Sequence, residues 1–541
     1  MPGALTLSEL AAQGAIEATT VIDTAREFAD CFDFSIDAAK LTASEKESLL
    51  TSLTTEAMNS AKNSIAHRAA CLKLLKVLAR SRGDLSPMYA DSFLPQLLPA
   101  ATEALKEQDG ETLALQAVHV CINCCILDMQ KGVTKILSST RVHECIDTIL
   151  ITAKDTLLLA STARVLFFLT VMPDFADKVN DQGIMDSSTS VQDLSKLNVN
   201  TNELVTYNAL FRLFLQATED DEWYTSQASC ELASRCLQTL FNLSNAADNK
   251  LPPEMQLGAA LLGNKSNMER DTTLLAERLK QTGYLQRVIL RVRDVLHVPL
   301  RQACPHYEHI RMAAASKPSP LSVKNDVINV MLHFPNDRVL LAPLLRDPEK
   351  RFFRGLQDYA VCTLRCPGNN KAATLCPLLM VLFGVAKGSR VSCHALKHFV
   401  FGALAERPEE YVAPADPQSE AMDPPEFEES EKIKGQESPR FLFTQLVTSL
   451  DSHVKLIVQQ LLFALCDEDP QEYIRLLGFG NAVGLLAQSG DLPGMLGLGQ
   501  GQVRQRELTR EELERMSQEA MERRARIEAE ENASKDDSNS H

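Results

Sequence analysis

Aromatic residues are scarce in this chain of 541 residues, since they make up only 6% of it and include a single Trp. Sheets draw on aromatic and β-branched residues, whereas helices favour Leu and Ala, which are abundant here. Apolar residues recur at helical spacing, and alternating strand patterns are hard to find. The chain also far exceeds the ~250–300 residues at which one hydrophobic core stops growing. We therefore predict an all-α protein built as several domains or as an elongated array.

An excess of positive charge is also lacking. The formal net charge is −16 and the sequence pI is about 5.3. Proteins that bind nucleic acids cluster Lys and Arg against the phosphates. The charge balance argues against that class, and we expect the partners to be proteins.

Long apolar runs are absent as well. The longest strongly apolar run, Pro377 to Ala386, is far shorter than the ~20 residues that a membrane span needs. The first 22 residues contain no Lys or Arg and no long apolar core, so they do not resemble a secretory signal. The 14 cysteines lie mostly in apolar helical stretches, where a free thiol packs as a small hydrophobe. We expect a cytoplasmic protein without a membrane span.

Motifs for covalent or metal chemistry are missing. Gly497, Gly499 and Gly501 alternate, but no Gly-Lys-Ser/Thr follows and no strand precedes them. Cys121 and Cys124 have the Cys-x-x-Cys spacing, yet no second pair of ligands follows at zinc-site distance. No nucleophile elbow is recognisable. We predict no catalytic residue, no metal and no cofactor.

Three asparagines stand inside apolar helical stretches, at Asn123, Asn242 and Asn329. Their intervals are close to multiples of ~40 residues, which is the length of an armadillo or HEAT repeat. Such repeats stack into a superhelical solenoid with a long concave face. An amide in apolar surroundings needs partners or costs ~1–3 kcal/mol. Two interpretations remain open: each amide satisfies a carbonyl of a neighbouring turn, or the three grip a bound peptide.

The chain divides into three regions by composition. Residues 1–490 are predicted to form the armadillo or HEAT solenoid, with an acidic loop at 406–440 that holds eleven Asp or Glu against four Lys or Arg. Residues 491–508 form a flexible Gly-rich connector. Residues 509–541 comprise a charged helix, opened by a capping box of Thr509 and Glu512, and a disordered tail.

A basic stripe interrupts the acidic character of the chain. Lys73, Lys76 and Arg80 are spaced three and four residues apart, so they share one helix face, and Arg82 follows. The stripe is either a solvated face or a site for a carboxylate, such as a peptide C-terminus.

Near the end of the predicted solenoid, a leucine-rich helix ends in Leu465-Cys466 and is followed by Gly478-Phe479-Gly480-Asn481-Ala482-Val483-Gly484-Leu485-Leu486. This stretch resembles the synembryn family of guanine nucleotide exchange factors. That family carries the signature Gly-Tyr-Gly-Asn-Ala-Ala-Gly-Leu-Leu after a leucine-rich helix that ends in Leu-Cys. The corresponding residues here are Gly478, Phe479, Gly480, Asn481 and Gly484, with Phe in place of Tyr. Weaker matches include Lys76 to Arg80, Arg164 to Thr170 and Thr239 to Leu243. The resemblance extends from about Phe32 to Gly490.

The resemblance implies a cytosolic armadillo/HEAT solenoid that binds Gα subunits of heterotrimeric G proteins. Members of the family act as chaperones for nascent Gα and as exchange factors on Gα-GDP, without covalent chemistry, and hold the C-terminal helix of Gα in the concave face. We expect a monomer that binds GDP-bound or nucleotide-free Gα and reaches the cell cortex only through it.

From the resemblance and the amide pattern together, we hypothesise a binding site for that helix. Lys76 and Arg80 would meet its carboxylate end. The groove itself would be lined by Asn123, Phe168, Phe241, Asn242 and Asn329.

Two other functions compete with this interpretation. One is an armadillo interaction scaffold, such as a nuclear-import adaptor or an adhesion-linked protein. The groove of an import adaptor would need Trp-Asn pairs in successive repeats, but Trp223 is followed by Tyr224. A second alternative is an exchange factor or chaperone for small GTPases. The chain departs from the family after Gly490, where a Gly-rich connector stands in place of an acidic Ser/Thr-containing stretch. The resemblance therefore does not decide whether phosphorylation regulates this chain.

Overall fold

The computed structural model of the chain describes residues 18–27, 41–79, 85–181, 205–250, 273–298, 319–334, 349–365, 371–405 and 438–489, together with residues 344 and 347. The described helices, in chain order, are α1 (Ala18–Glu27), α2 (Ala43–Met58), α3 (Ile65–Leu78), α4 (Leu97–Ala104), α5 (Gly110–Leu127), α6 (Met129–Leu137), α7 (Val142–Thr152), α8 (Thr156–Leu169), α9 (Pro173–Asn180), α10 (Val205–Ala217), α11 (Gln227–Asn249), α12 (Leu274–Gln281), α13 (Leu285–His297), α14 (Pro320–Met331), α15 (Arg351–Arg365), α16 (Lys371–Gly388), α17 (Arg390–Phe401), α18 (Pro439–Val447), α19 (Ser452–Leu465), α20 (Pro470–Leu477) and α21 (Phe479–Ser489). Short 3₁₀ helices lie at Ser86–Tyr89, Leu94–Gln96, Trp223–Thr225 and Gly402–Ala405. No β-strand occurs in these ranges, and the predicted all-α class is confirmed.

Capping side chains set where many of the helices begin. The Thr42 hydroxyl accepts the Glu45 amide while the Glu45 carboxylate accepts the Thr42 amide, which forms a complete capping box before α2. At the starts of α8, α11 and α19, amides of the first turn donate to one side-chain oxygen of Asp155, Ser226 and Asp451, respectively. Each cap satisfies amides that a helix start leaves without partners, and is worth ~1 kcal/mol.

Thirteen of the described helices in residues 1–476 stack in two layers. The first, which we call the major layer, consists of α3, α5, α8, α11, α14, α16 and α19, and each of these helices packs on the next. The second, the minor layer, consists of α4, α7, α10, α13, α15 and α18, which follow one another in the same way. Each minor-layer helix also packs on the major-layer helix that follows it in sequence. This ladder of helix pairs is the repeat pattern of an armadillo or HEAT solenoid and confirms that prediction.

The hydrophobic core lies between the two layers. In α10 the large side chains Tyr207, Phe211 and Phe214 are fully buried, and their spacing of four and three residues puts them on one face of the helix. Each such side chain contributes ~1.5–3 kcal/mol through burial. The apolar stripe of a minor-layer helix therefore fixes which face it turns towards the major layer.

Among the described residues, α5 is the one helix that is by itself long and apolar enough to cross a membrane. Helices α8 and α9 reach that length and apolar character only if the two are counted as one bent span. The sequence of α5 does not form one long apolar run, because Gln116, His119 and Asn123 interrupt it. In the structure α5 packs against α3, α4, α6 and α8, and 56% of its apolar window is buried. It therefore forms part of the core of the stack.

The second unit comprises residues 477–541, of which the structure describes α21 and the turn before it. The boundaries predicted at 490 and 508, the helix at 509–531 and most of the loop at 406–440 lie outside the described residues. They stay predictions.

Candidate functional site

Two of the three asparagines bind the neighbouring helix of the major layer. Asn123 on α5 donates its Nδ2 to the carbonyl of Lys76 near the end of α3, at 2.8 Å. Asn242 on α11 donates to the carbonyl of Phe167 near the end of α8 and to Oγ1 of Thr170, both at 3.2 Å. The last carbonyls of a helix have no partner within it, so these amides cap the helix ends of the preceding repeat. The interpretation in which each amide satisfies a neighbouring carbonyl is thus realised at both positions.

The same bonds fix which end of each amide stays available. A carbonyl only accepts, so the amide nitrogen of Asn123 and of Asn242 must face inward. Their Oδ1 atoms make no hydrogen bond with the described residues, and both side chains are half-buried. Asn329 on α14 is half-buried too, and within the described ranges its side chain makes no hydrogen bond. We call these three residues the amide row, since all lie on major-layer helices.

The predicted aromatic residues differ in exposure. Phe168 is 8% exposed and belongs to the core. Its neighbour Phe167 is half-buried, and the centroids of the two rings lie 5.6 Å apart. Phe241 is also half-buried, with its ring centroid 5.4 Å from that of His333. On α8, therefore, the more accessible ring is one residue before the predicted one.

Lys76 takes part in a bridge across three helices. Its Nζ lies 3.1 Å from Nδ1 of His119 on α5, and Nε2 of His119 lies 3.1 Å from Oγ of Ser161 on α8. An ammonium group has only donors, so Nδ1 must accept and neutral His119 carries its proton on Nε2, facing Ser161. The imidazole cannot then take the proton of Ser161, and the trio is not a nucleophile with its base. Arg80 and Arg82 lie outside the described residues.

A second polar cluster joins α11 and α14, and no sequence motif predicts it. The Asp326 carboxylate accepts from Oγ of Ser234 and, at 3.2 Å, from Nε2 of Gln238. Arg235 in turn donates to Oε1 of Gln238 at 2.7 Å. Burial raises the pKa of Asp326 to about 7. The pKa of Arg235 is lowered by burial first and then by the charge of Arg164.

Of the signature residues, Gly478 forms the turn that precedes α21, and Phe479, Gly480, Asn481 and Gly484 lie within the helix itself. Gly478 has a φ of +83°, a left-handed conformation that side chains other than glycine rarely adopt. Asn481 donates its Nδ2 to the carbonyl of Leu477 at 3.0 Å and closes the turn. Phe479 is half-exposed, and Gly480 and Gly484 are exposed. In this unit the signature specifies a turn with an exposed aromatic ring.

The cysteines of the described residues are free thiols, and all but Cys376 are buried. Burial raises the pKa of Cys71 and of Cys125 to about 12, which suppresses thiolate chemistry. Within the described ranges no group of three His, Cys, Asp or Glu is arranged to hold a metal. His394 and His398 lie on one face of α17, with ring centroids 4.4 Å apart.

Most of the chain matches one known protein family. Residues 71–532 match the family described as guanine nucleotide exchange factor synembryn. A stretch of 50 residues is 44% identical to Chaperone Ric-8A of Mus musculus, and the same holds for Bos taurus and Macaca fascicularis. This stretch covers 9% of the chain and only 9% of each of those chaperones.

Among solved structures, the crystal structure of an engineered protein aligns with a TM-score of 0.30 and 13% identity, over 85% of this chain and 98% of that one. That likeness is too weak to bear on the fold. The family match, by contrast, runs through the major layer from α3 to α19 and covers most of the chain. The chain belongs to the synembryn family of guanine nucleotide exchange factors.

Proposed function

We propose that this chain binds Gα subunits of heterotrimeric G proteins, as a chaperone for nascent Gα and as an exchange factor that promotes release of GDP. The observation that carries the proposal is the family match, which spans the major layer and the signature turn. The mammalian proteins that share the 50-residue stretch are named chaperones, which is consistent with the first activity.

The proposed binding surface is the amide row with the apolar side chains beside it. Leu127 stands one turn after Asn123, and Val171 follows Phe167 by four residues; both are unusually exposed for large apolar side chains, at 43% and 46%. Exposed apolar side chains that alternate with accessible amide oxygens suit a helix with one apolar face and some polar donors. The C-terminal helix of Gα is the proposed occupant. Lys76 and Arg80 remain the proposed contacts for its carboxylate end.

The proposed mechanism does not require contact with the nucleotide. If the chain prefers the Gα conformation whose nucleotide pocket is open, binding shifts the population towards that state and GDP leaves. A hundredfold preference corresponds to ~2.7 kcal/mol. The same preference protects a Gα chain that has not yet closed around nucleotide, because a ligand of one state stabilises that state. No covalent step and no cofactor enters this scheme.

The test is capture of Gα followed by measurement of GDP release. The full chain is incubated with a panel of GDP-bound Gα subunits and with small GTPases as controls, and co-purification is scored. Release of a fluorescent GDP analogue is then timed with and without the chain. Capture of Gα with faster release supports both activities, and capture without faster release supports chaperoning alone. Capture of small GTPases but not Gα would contradict the proposal and favour the small-GTPase alternative.

The site is tested by the double substitution Asn123→Ala with Arg80→Glu, which should abolish Gα binding. Asn123→Ala also removes the bond to Lys76, so thermal unfolding of the variant must be measured in parallel. Unchanged Gα affinity in a folded variant would remove these residues from the site.

A further inference from the structure

Arg164 on α8 and Arg235 on α11 lie at the junction of two adjacent major-layer helices. Oγ1 of Thr239 donates to the carbonyl of Ala163 at 3.3 Å, beside Arg164 in the chain. The same hydroxyl contacts the carbonyl of Arg235 at 2.9 Å, one turn earlier on α11. The backbones of Arg164 and Arg235 therefore lie close together at the same interface, and we call these two residues the arginine pair. Both are half-buried.

The guanidinium donors of the arginine pair are poorly satisfied. Nε of Arg164 and Nε of Arg235 are buried and have no hydrogen-bond partner. Arg164 makes no hydrogen bond or ion pair with the described residues, and its guanidinium carbon lies 5.9 Å from the centroid of the Phe168 ring. Arg235 donates once, to Gln238. A guanidinium has five N–H donors, and the bond from Arg235 to Gln238 is the one hydrogen bond that the described residues make with those of the pair.

The charge of the arginine pair is only partly compensated. The acidic groups acting on Arg235 are Glu231, one turn earlier on α11, and Asp326 on α14. The carboxylate of Asp326 is already bonded to Ser234 and Gln238, and neither arginine forms a salt bridge with it. Burial raises the pKa of Asp326 to about 7, so a substantial fraction of it is neutral at physiological pH. Two like charges at one interface repel, and an added anion would relieve that repulsion.

We propose that the arginine pair is a carboxylate-binding subsite of the major layer, which receives an acidic group of the bound Gα helix. This inference rests on the proposed function and adds the chemistry of one contact. Arginine suits the role because its planar fork matches a carboxylate in two parallel hydrogen bonds. The carboxylate comes either from an Asp or Glu side chain or from the C-terminus of the helix.

The position along the layer favours a side chain. Adjacent packed helices lie ~8–10 Å apart, so the α8–α11 junction is on the order of 20–25 Å from Lys76 on α3. A bound helix that rises ~1.5 Å per residue covers this span in about 13–17 residues. If its C-terminal carboxylate meets Lys76 and Arg80, the arginine pair meets an acidic side chain about four turns upstream.

The test uses a synthetic peptide of the last ~25 residues of a Gα subunit that the chain captures. The peptide is made with a free C-terminus, with a C-terminal amide, and with each Asp or Glu replaced singly by Asn or Gln. Affinities for the full chain and for R164Q, R235Q and the double variant are measured by fluorescence anisotropy at low and high salt. Arg212→Gln is the matched control, because Arg212 lies on the minor layer and donates to the carbonyl of Leu150.

We expect R164Q and R235Q each to weaken peptide binding about 10-fold to 100-fold, the usual range for a charge-assisted bond, and to reduce its salt sensitivity. One modified peptide should bind the wild-type chain as weakly as the unmodified peptide binds the double variant. The double substitution should not weaken the binding of that modified peptide any further. If that peptide carries the Asn or Gln replacement, the source is a side chain; if it is the amide, the source is the C-terminus.

Two outcomes overturn the inference in distinguishable ways. If the variants bind every peptide with wild-type affinity, the subsite is wrong while the proposed function stands. If the wild-type chain captures no Gα at all, the proposed function fails and the subsite falls with it. Should R164Q or R235Q not fold, Arg→Lys is made at the same position, because lysine keeps the charge but cannot form two parallel hydrogen bonds to a carboxylate. We then expect peptide affinity to fall several-fold.

Discussion

At the scale of single residues, the asparagine side chains of this chain differ in how many of their polar atoms are hydrogen-bonded within the fold. Asn180 on α9 is fully engaged, because its Nδ2 donates to the carbonyl of Leu243 and its Oδ1 accepts from the Tyr207 hydroxyl. Asn242 has only its nitrogen engaged, and Asn329 has no side-chain bond within the described ranges. The sequence could not show this difference, because it does not reveal which backbone or side-chain atom each amide meets in the fold. The identity of the partner atom decides which amide is left for a ligand.

This contrast predicts opposite phenotypes for two substitutions. Asn242→Ala removes the donor to Phe167 and Thr170, so we expect the free energy of unfolding to fall by ~1–3 kcal/mol in urea titrations. Asn329→Ala should change stability by no more than ~0.5 kcal/mol and weaken Gα binding about threefold to tenfold. A destabilised Asn329→Ala variant with normal Gα affinity would contradict the assignment of the amide row.

A buried carboxylate predicts a pH effect on stability. Glu472 is 2% exposed and bonds Nζ of Lys397 at 2.8 Å and both Nε and Nη2 of Arg475 at 2.7 Å. These bonds, that of Arg475 foremost, lower the pKa of Glu472 to about 2, below its ordinary value of 4.5. A lowered acid pKa stabilises the fold above the unfolded-state value, and that stability is lost as the pH falls towards the folded-state value.

Glu472→Gln should therefore be clearly less stable than the wild type at pH 7, and the difference should shrink as the pH falls from about 4.5 towards 2. Thermal unfolding across that range measures it. Glu103→Gln is the control, since Glu103 forms an exposed ion pair with Lys106 and should show a small difference throughout. If the difference in thermal stability between wild type and Glu472→Gln stayed constant across this pH range, the ion pairs of Glu472 would not be its cause.

At the scale of elements, close helix crossings matter as much as apolar stripes. Gly355 on α15 meets the backbone of Leu296 on α13, and a Cβ at Gly355 would collide with that carbonyl. Gly480 near the start of α21 has open space where its Cβ would be. Both glycines are helical, so sequence propensity treats them alike.

We expect Gly355→Ala to lower the free energy of unfolding by ~1–3 kcal/mol, because backbone atoms must shift to admit the methyl group. Gly480→Ala should be neutral or stabilising by up to ~1 kcal/mol, since alanine loses less backbone freedom on folding. Chemical unfolding of both variants measures the contrast. Equal effects would mean that propensity, and not the crossing of α13 and α15, governs Gly355.

At the scale of the whole molecule, the proposed exchange activity is a coupling between two ligands of Gα. If the chain lowers the affinity of Gα for GDP by some factor, GDP must lower the affinity of Gα for the chain by the same factor. We expect the chain to bind nucleotide-free Gα more tightly than Gα saturated with GDP or a GTP analogue. Equilibrium titrations of both ligands measure the factor from each side, and equal affinity of the chain for all three states of Gα would contradict population shift.

The sequence by itself determined the helical class, the ~40-residue repeat, the placement of the asparagines on equivalent helices and the family resemblance. These features depend on helical spacing of one to four residues, on short motifs, or on the regular recurrence of similar stretches, and all three can be read along a chain. Tertiary structure decided which atoms meet: Asn123 reaches a carbonyl 47 residues away, and Lys397 reaches Glu472 across 75. It also brought Arg164 and Arg235 to one interface. Such contacts depend on the crossing angle and register of packed helices, which the periodicity of any one helix does not fix.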